Sequence, residues 1–367
     1  MFKLENTDGF ARAGKLKTEH GTIETPFFMP VATKGSVKHI SFEELKQTGT
    51  QCIISNAFIF YLKPGLEIIE KAGGIHKFIN WNQPMFTDSG GFQMLNPEFL
   101  IKIEEQGVHF RSPFDGIKHF MTPEKVMEIE ETLGADIAMC LDDVPVHTSE
   151  PKRLKESVER TKSWAKRCKE SHTEKKQLLF GIAQGGTIEK LRKQSVQDIV
   201  DLDFDGIALG GLCIGETRDK MNIAIQASMP LIPENKPRYL MGVGTPFDLV
   251  NTIGYGTDCF DSCFVTRSAR HGLVFTQKGN LNILHSQYKN DLKPLDPECE
   301  CFVCQNYSRA YIRHLKVLGE ENGLKYLSYH DLFFVQKLMK ETRISIQENR
   351  FEKFKTEFLK IYKKIEK

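Results

Sequence analysis

The sequence is short of net charge. Its 367 residues carry 50 Lys and Arg against 48 Asp and Glu, a formal net charge of +2. A global polycation is excluded, so any nucleic-acid surface has to be a local patch. A long apolar run is also missing, and with it any expectation of a membrane-spanning helix. Met1-Phe2-Lys3-Leu4-Glu5-Asn6 does not read as a secretory signal peptide. No dinucleotide fingerprint follows the first strand-like run, which argues against a doubly wound nucleotide-binding sheet. Strand ends carry no histidines, and a barrel metallohydrolase needs an open metal site of His and carboxylates there. The nine cysteines are an odd count and, one cluster apart, have no framework spacing. They read as thiols in a reducing cytoplasm rather than as disulfides.

What the sequence does have begins at residues 258–267. They read as one buried strand with two aspartates, Asp258 and Asp261, and a basic exit at Arg267 and Arg270. A carboxylate in such a strand is costly unless it is paired or used. A lone buried Asp is usually a satisfied structural group, but the surroundings here form a constellation. Residues 267–316 hold eight Lys/Arg against four acids, a local basic excess. On its own such a run is only a solvated face.

Eight apolar strand-like runs punctuate the chain, at residues 27–33, 51–58, 84–89, 136–142, 177–184, 204–210, 238–244 and 259–266. Helical patterns lie between most of them. Ser41-Phe42-Glu43-Glu44 is a capping-type start, Thr122-Pro123 places Pro at a first helical position, and Ser149-Glu150-Pro151 opens a long helix. A hairpin around Asp115-Gly116 interrupts the alternation. Residues 1–26 read as short antiparallel strands. The pattern predicts an α/β fold, a (β/α)8 barrel over residues 27–290 with an N-terminal antiparallel cap. Barrel active sites lie at the C-terminal strand ends. Polar and glycine residues fall there in register: Asn56, Thr87 to Gly91, Asp142-Asp143, Gln184-Gly185-Gly186, Gly210-Gly211, Gly242-Val243-Gly244 and Asp261.

Cys299-Glu300-Cys301-Phe302-Val303-Cys304 is the most specific local signal. Three thiolates spaced C-x-C-x2-C can surround one tetrahedral ion, and His330 can close the set. A closed Cys3His set is structural, not catalytic. Cys52, Cys140, Cys168, Cys213, Cys259 and Cys263 lack such spacing, and most sit in apolar runs as small core residues. A zinc subdomain is expected over residues 291–335. Over residues 336–367 we expect helices packing on the barrel through Phe351, Phe354, Phe358, Ile361 and Ile365.

Taken together, these motifs resemble the bacterial tRNA-guanine transglycosylases, or queuine tRNA-ribosyltransferases. The resemblance covers nearly the whole chain. It is carried by Thr87-Asp88-Ser89-Gly90-Gly91-Phe92-Gln93, Gln184-Gly185-Gly186, Gly210-Gly211-Leu212, Tyr239 to Gly244, Asp258-Cys259-Phe260-Asp261, Thr266-Arg267, the cysteine set and Ser308-Arg309-Ala310-Tyr311. That family is a (β/α)8 barrel with a zinc subdomain, and it exchanges the wobble guanine of GUN anticodons for a 7-deazaguanine. The resemblance implies Asp261 as nucleophile and Asp88 as acid/base. It implies a base pocket of Asp88, Ser89, Gly90, Gly91, Phe92, Asp142, Gln184, Gly211 and Leu212. RNA contacts are implied at Gly242, Val243, Gly244, Thr245, Pro246, Phe247, Asp248, Thr266, Arg267, Ser268, Ala269 and Arg270. Zinc on Cys299, Cys301, Cys304 and His330, and a homodimer through the face of Tyr307, Tyr311, His314 and Leu315, complete the set. The chemistry fits, because a carboxylate can attack or stabilise a developing cation at an anomeric carbon. The target base must also leave its stack to reach a barrel mouth.

Three departures stand out: Leu141-Asp142-Asp143-Val144 for the usual Phe-Asp-Glu-Cys, Ala57-Phe58-Ile59-Phe60 after Asn56, and Val265 before Thr266-Arg267. The first two bear on the incoming base, for which the aminomethyl form is expected over queuine because Ile214 narrows the wall. A non-catalytic tRNA-binding partner subunit is the alternative from another class. Such a subunit loses its nucleophile, whereas Asp88 and Asp261 both stand here.

Overall fold

The structure, a computed structural model, describes residues 1–363. Eight strands form one sheet, and each falls inside one of the apolar runs. They are β1 (Phe27–Pro30), β2 (Ile53–Asn56), β3 (Met85–Asp88), β4 (Ile137–Met139), β5 (Leu178–Ala183), β6 (Gly206–Leu209), β7 (Arg238–Leu240) and β8 (Cys259–Ser262). The hydrogen-bonded order runs β1-β8-β7-β6-β5-β4-β3-β2. All pairings are parallel. A bridge between Val31 and Ile54 nearly closes the ring, with the Ala32 N–H donating to the Ile54 carbonyl at 2.7 Å. Strands buried on both faces have to be continuously apolar, as these are. Inside, the Phe86 ring meets Phe180 at 5.4 Å and Tyr239 at 5.8 Å. Gly206 makes room for that packing: a Cβ there would sit 2.3 Å from the Phe180 ring.

Local signals place the helices. Ser41 forms a reciprocal capping box with Glu44. The Thr122 hydroxyl accepts the Lys125 N–H, with Pro123 at the first position of helix Pro123–Leu133. Pro151 likewise opens the helix Pro151–Ser171. The hairpin is present and gains a third strand, so that Leu100–Glu104, Gly107–Arg111 and Lys118–Met121 form an antiparallel sheet.

One expectation needs correction. Residues 259–266 are not one strand: β8 stops at Ser262 and a helix runs over Phe264–Arg270. The Ser262 hydroxyl donates to the Gly242 carbonyl (3.0 Å) and accepts the Phe264 N–H (3.1 Å), which turns the chain. An unbroken apolar run does not distinguish buried strand from buried helix. Thr266, Arg267 and Arg270 are therefore helical.

The bottom of the barrel is covered by the antiparallel strands Phe2–Asp8, Ala11–Thr18 and Gly21–Thr25. Arg12 from this sheet pairs with the fully buried Asp258 at 3.1 Å. Asp258 belongs to a series. Asp136, Asp205 and Asp258 each stand just before an even-numbered strand. Their carboxylates accept an N–H at the start of the odd-numbered neighbour: Met85 (3.0 Å), Leu179 (3.0 Å) and Arg238 (2.9 Å). Gln51 does the same before β2, accepting the Glu24 N–H at 2.9 Å. These groups fasten the bottom and take no part in a site at the top. At the C-terminus, Phe351 and Phe358 of the last helix are buried, Phe354 is half-buried and Ile361 lies at the exposed rim. Ile365 lies outside the described residues. Among those residues, no helix is long and apolar enough to cross a membrane.

Candidate active site and metal centre

The C-terminal strand ends open into a cavity of about 370 Å³. Asp88, Phe92, Asp142, Gly211, Leu212, Gly242, Asp261 and Arg267 line it, so residues far apart in sequence meet here. Asn56, Gln93, Val144, Cys213, Ile214, Tyr239 and Met241 are also part of the wall. Gln184 is fully buried just behind it.

Strand register places Asn56 beside Asp88. Asn56 Nδ2 donates to Asp88 Oδ2 at 3.1 Å, while its own Oδ1 accepts the Ile59 N–H at 3.0 Å and caps the next helix. Asp261 is held by two donors on one oxygen, the Tyr239 hydroxyl (2.6 Å) and the Gly242 N–H (2.9 Å). Asp142 Oδ2 accepts from Gln184 Nε2 at 2.6 Å. The glycines set these distances. A Cβ on Gly91 would sit 2.6 Å from Asp142 Oδ1, and one on Gly211 would sit 2.3 Å from Gln184 Oε1. Gly90, at φ +86°, passes so close to Phe58 that a Cβ would meet it at 2.2 Å. Ser89, Gly90 and Gly91 thus shape the site from behind.

Among the described residues, no cation hydrogen-bonds to the three mouth carboxyls, and all titrate high. Burial first, then the charge of Asp261, pushes Asp88 up to about 7. Burial, then the charge of Asp88, pushes Asp142 up to about 8. Asp261 is raised by burial against the opposing donors of Tyr239 and Gly242. Asp143, next in sequence to Asp142, is treated differently. It is fully buried but bridged to Arg153 (2.7 Å) and Arg160 (2.6 Å), and so belongs to the scaffold. A carboxyl near neutrality beside an anchored carboxylate can supply an acid/base and a nucleophile.

A second depression of about 340 Å³ adjoins the mouth, lined among others by Gly242, Gly244, Thr245, Asp248, Arg218, Phe264 and Arg267. Of the twelve candidate RNA residues, Val243, Gly244, Pro246, Thr266 and Ala269 are buried, whereas Gly242, Thr245, Phe247, Asp248, Arg267, Ser268 and Arg270 keep exposed surface. Arg218 pairs with Asp248 at 2.6 Å and lies over the Phe247 ring.

The cysteine cluster is assembled. The Sγ atoms of Cys299, Cys301 and Cys304 lie 3.8, 3.5 and 3.3 Å from His330 Nδ1, and all four groups are buried. His330 Nε2 donates to the Phe275 carbonyl at 2.8 Å. That bond fixes the tautomer and leaves the Nδ1 lone pair facing the sulfurs. Backbone N–H groups of Asp296, Cys301 and Cys304 point at the three sulfurs, a setting that favours thiolates. The donor set can hold a metal ion. A second group, His20, His76 and Asp136, fits an ion poorly. Its rings stack at 3.6 Å and 14°, so their lone pairs run side by side; His20 Nδ1 bonds to the Asp136 carboxylate at 3.1 Å and His76 Nε2 lies 3.2 Å from it.

Sequence reasoning gave Tyr239 no role of its own, although a Tyr in an apolar strand needs a partner for its hydroxyl. Four of the six scattered cysteines are core residues, but Cys213 and Cys263 are exposed and line the cavity.

The raised carboxyls make stability depend on pH. Asp142 titrates near 8 when folded against 3.8 as its ordinary value, so the folded chain holds the extra proton in between. Stability from this group is present below that lower value and declines as pH rises toward 8. Asp142→Asn should therefore be more stable than the parent by on the order of 2 kcal/mol at pH 8 and nearly equal at pH 4. Urea unfolding at both pH values measures it, and a difference independent of pH would contradict the assignment.

Comparison with known proteins gives a consistent result. The sequence model described as Queuine tRNA-ribosyltransferase matches residues 7–364. A protein of Fusobacterium nucleatum named Queuine tRNA-ribosyltransferase is 50% identical over 364 residues, 98% of this chain and 98% of its own. One of Halothermothrix orenii with the same name is 49% identical over 352 residues, covering 96% of this chain and 94% of its own. One of Bacillus subtilis, again so named, is 48% identical over 353 residues, 96% and 93% of the two chains. The chain belongs to the queuine tRNA-ribosyltransferase family.

Proposed function

We propose that this chain, by family a tRNA-guanine transglycosylase and so a pentosyltransferase, exchanges the wobble guanine of GUN anticodons for a 7-deazaguanine. The tRNAs would be those for aspartate, asparagine, histidine and tyrosine, and the setting cytoplasmic queuosine synthesis. The observation that carries the reading is the pair of carboxyls in one cavity. Asp261 is anchored by Tyr239 and Gly242, and Asp88 titrates near neutrality. In the first displacement an Asp261 oxygen attacks the anomeric carbon of the wobble ribose. The bond to guanine N9 breaks, and the departing base takes a proton from Asp88. In the second, Asp88 takes the N9 proton of the incoming base, whose nitrogen attacks the same carbon and releases Asp261. Asp142 accepts the ring N–H and exocyclic amine of either base, with Gln184 and the backbone at Gly211 and Leu212 completing the contact. The exposed members of the Gly242–Asp248 and Thr266–Arg270 segments flank the mouth as the RNA surface.

For the incoming base we propose 7-aminomethyl-7-deazaguanine. Val144 and Ile214 both line the cavity, and a branched Ile214 narrows the room for a bulky substituent. Incorporation of labelled guanine into tRNA with and without a GUN anticodon tests the whole reading. Asp261→Asn should lower exchange at least about 10³-fold with tRNA binding retained. An Asp261→Asn protein that still traps a covalent RNA adduct sinks the nucleophile assignment. Competition between the aminomethyl base and queuine should favour the former, and Ile214→Gly should raise use of queuine. Queuine preferred by the parent chain overturns the steric argument.

Zinc is the proposed ion for Cys299, Cys301, Cys304 and His330, because three thiolates and one imidazole make a closed tetrahedral set. It would hold the segment around residues 296–304 to the long helix bearing His330, leaving no position for substrate. Elemental analysis should find about one zinc per chain. Cys301→Ala should lose it together with roughly 3 kcal/mol or more of stability. A metal-free protein of full stability contradicts this.

The last element is a homodimer. Tyr307 stacks on Tyr326 at 4.5 Å and lies beside Tyr311. Leu292 and Tyr311 stay exposed around a hollow of about 390 Å³, and the exposed Phe302 meets the Tyr307 ring edge-on at 5.9 Å, a surface suited to an interface core. Light scattering should give the mass of two chains at micromolar concentration, and a monomer there counts against it.

A further inference from the structure

Arg192 is the one arginine whose fully buried side chain spans two strand ends of the mouth, and it has no carboxylate within hydrogen-bond reach among the described residues. It stands on helix Glu189–Val200. A bare guanidinium in such a place is costly, and burial pulls its affinity for the proton down to about 10. Four of its five N–H groups donate to three backbone carbonyls. Nη1 donates to Ala183 (2.9 Å) and Gly210 (3.0 Å), while Nε and Nη2 donate to Gly186 at 3.2 and 2.7 Å. Ala183 ends β5 and Gly210 follows β6, so one side chain bolts both strand ends together. Gln184 lies between two of these anchor points. The same helix reaches it again, since the Ser195 hydroxyl accepts the Gln184 N–H at 2.8 Å.

We infer that Arg192 is a positioning residue for base recognition: its charge fixes the Gln184 turn and the Gly210-Gly211 peptide and polarises that peptide toward the base. A trans peptide holds its C=O and N–H antiparallel. A cation on the Gly210 carbonyl therefore strengthens the Gly211 N–H as a donor, directed away from Arg192 on the side where Gly210 and Gly211 line the cavity. Little slack exists in this stack. A Cβ at Gly210 would meet Gln184 Nε2 at 2.6 Å and Asp142 Oδ2 at 3.3 Å, so a small shift of the Gly210 peptide moves against both recognition side chains. The inference rests on the proposed base-binding role of Asp142 and Gln184.

The test compares Arg192→Met, Arg192→Lys and Gln184→Ala with the parent in labelled-guanine exchange, varying guanine and tRNA separately. For Arg192→Met, KM for guanine should rise about tenfold or more, with KM for tRNA unchanged and kcat within about threefold. Arg192→Lys, which keeps the charge but reaches fewer carbonyls, should lie in between. A residue that only stabilises the fold would instead lower kcat through the active fraction and leave both KM values alone, and that result overturns the inference. Should Arg192→Met fail to fold, Arg192→Lys alone is read by the same split, and loss of fold in both also overturns it. An unchanged KM for guanine in Gln184→Ala would instead refute the underlying base-binding reading.

Discussion

The chemistry of this barrel depends on which carboxylates are given a cation and which are not. Removing a carboxylate from water is costly, and each one must recover that cost through donors, a counter-charge or a proton. The bottom aspartates use backbone N–H groups, and Asp258 adds Arg12. Asp143 has two arginines. At the mouth Asp88, Asp142 and Asp261 receive only neutral donors among the described residues, from Gly90, Gln93, Asn56, Gln184, Tyr239 and Gly242. Their remaining recourse is the proton: burial and the charge of Asp261 bring Asp88 near neutrality, while Asp261, held by Tyr239 and Gly242, is raised by burial. The division of labour proposed for the two follows from that arrangement.

The site's glycines serve the same end. Gly91, Gly210 and Gly211 bring backbone within contact of Asp142 and Gln184, closing the space that water would otherwise fill. Desolvation is the first cause of every raised carboxyl at the mouth, so the titration of Asp88 and the packing of a Gly-Gly turn are one phenomenon.

Much of this was legible in the chain. Period and spacing located all eight strands, the strand-end polar residues and the Cys3His set, because each is a local pattern. What was not legible depends on direction or distance. Asp258 and Asp261 look alike in sequence, but they stand at opposite ends of a four-residue strand, one in the floor and one in the mouth. The helix over Phe264–Arg270 was hidden in an apolar run that continues the strand, and only the Ser262 hydrogen bonds reveal the turn. The edge strand Leu100–Glu104 is half-exposed and short, with too little alternation to declare itself. Arg192 sits in a polar helix where arginine is the ordinary surface residue, and nothing in its neighbours announces that it points inward.

The floor aspartates carry a consequence of their own. Since Asp136 holds β3, Asp205 holds β5, Asp258 holds β7 and Gln51 reaches the segment before β1, the strands are riveted below in four couples. Above, the mouth ignores that division. Arg192 clasps the couple of β5 and β6, Gln184 reaches from β5 to the loop after β4, and Asn56 at the end of β2 holds Asp88 at the end of β3. Each proposed recognition contact that joins different couples is therefore also a side-chain fastening of the upper rim, one the floor carboxylates do not provide. A sheet whose floor side chains work in pairs is thus also tied across those pairs, at its mouth, by the side chains proposed to do the work, and disturbing one of them loosens the hoop as well as the chemistry.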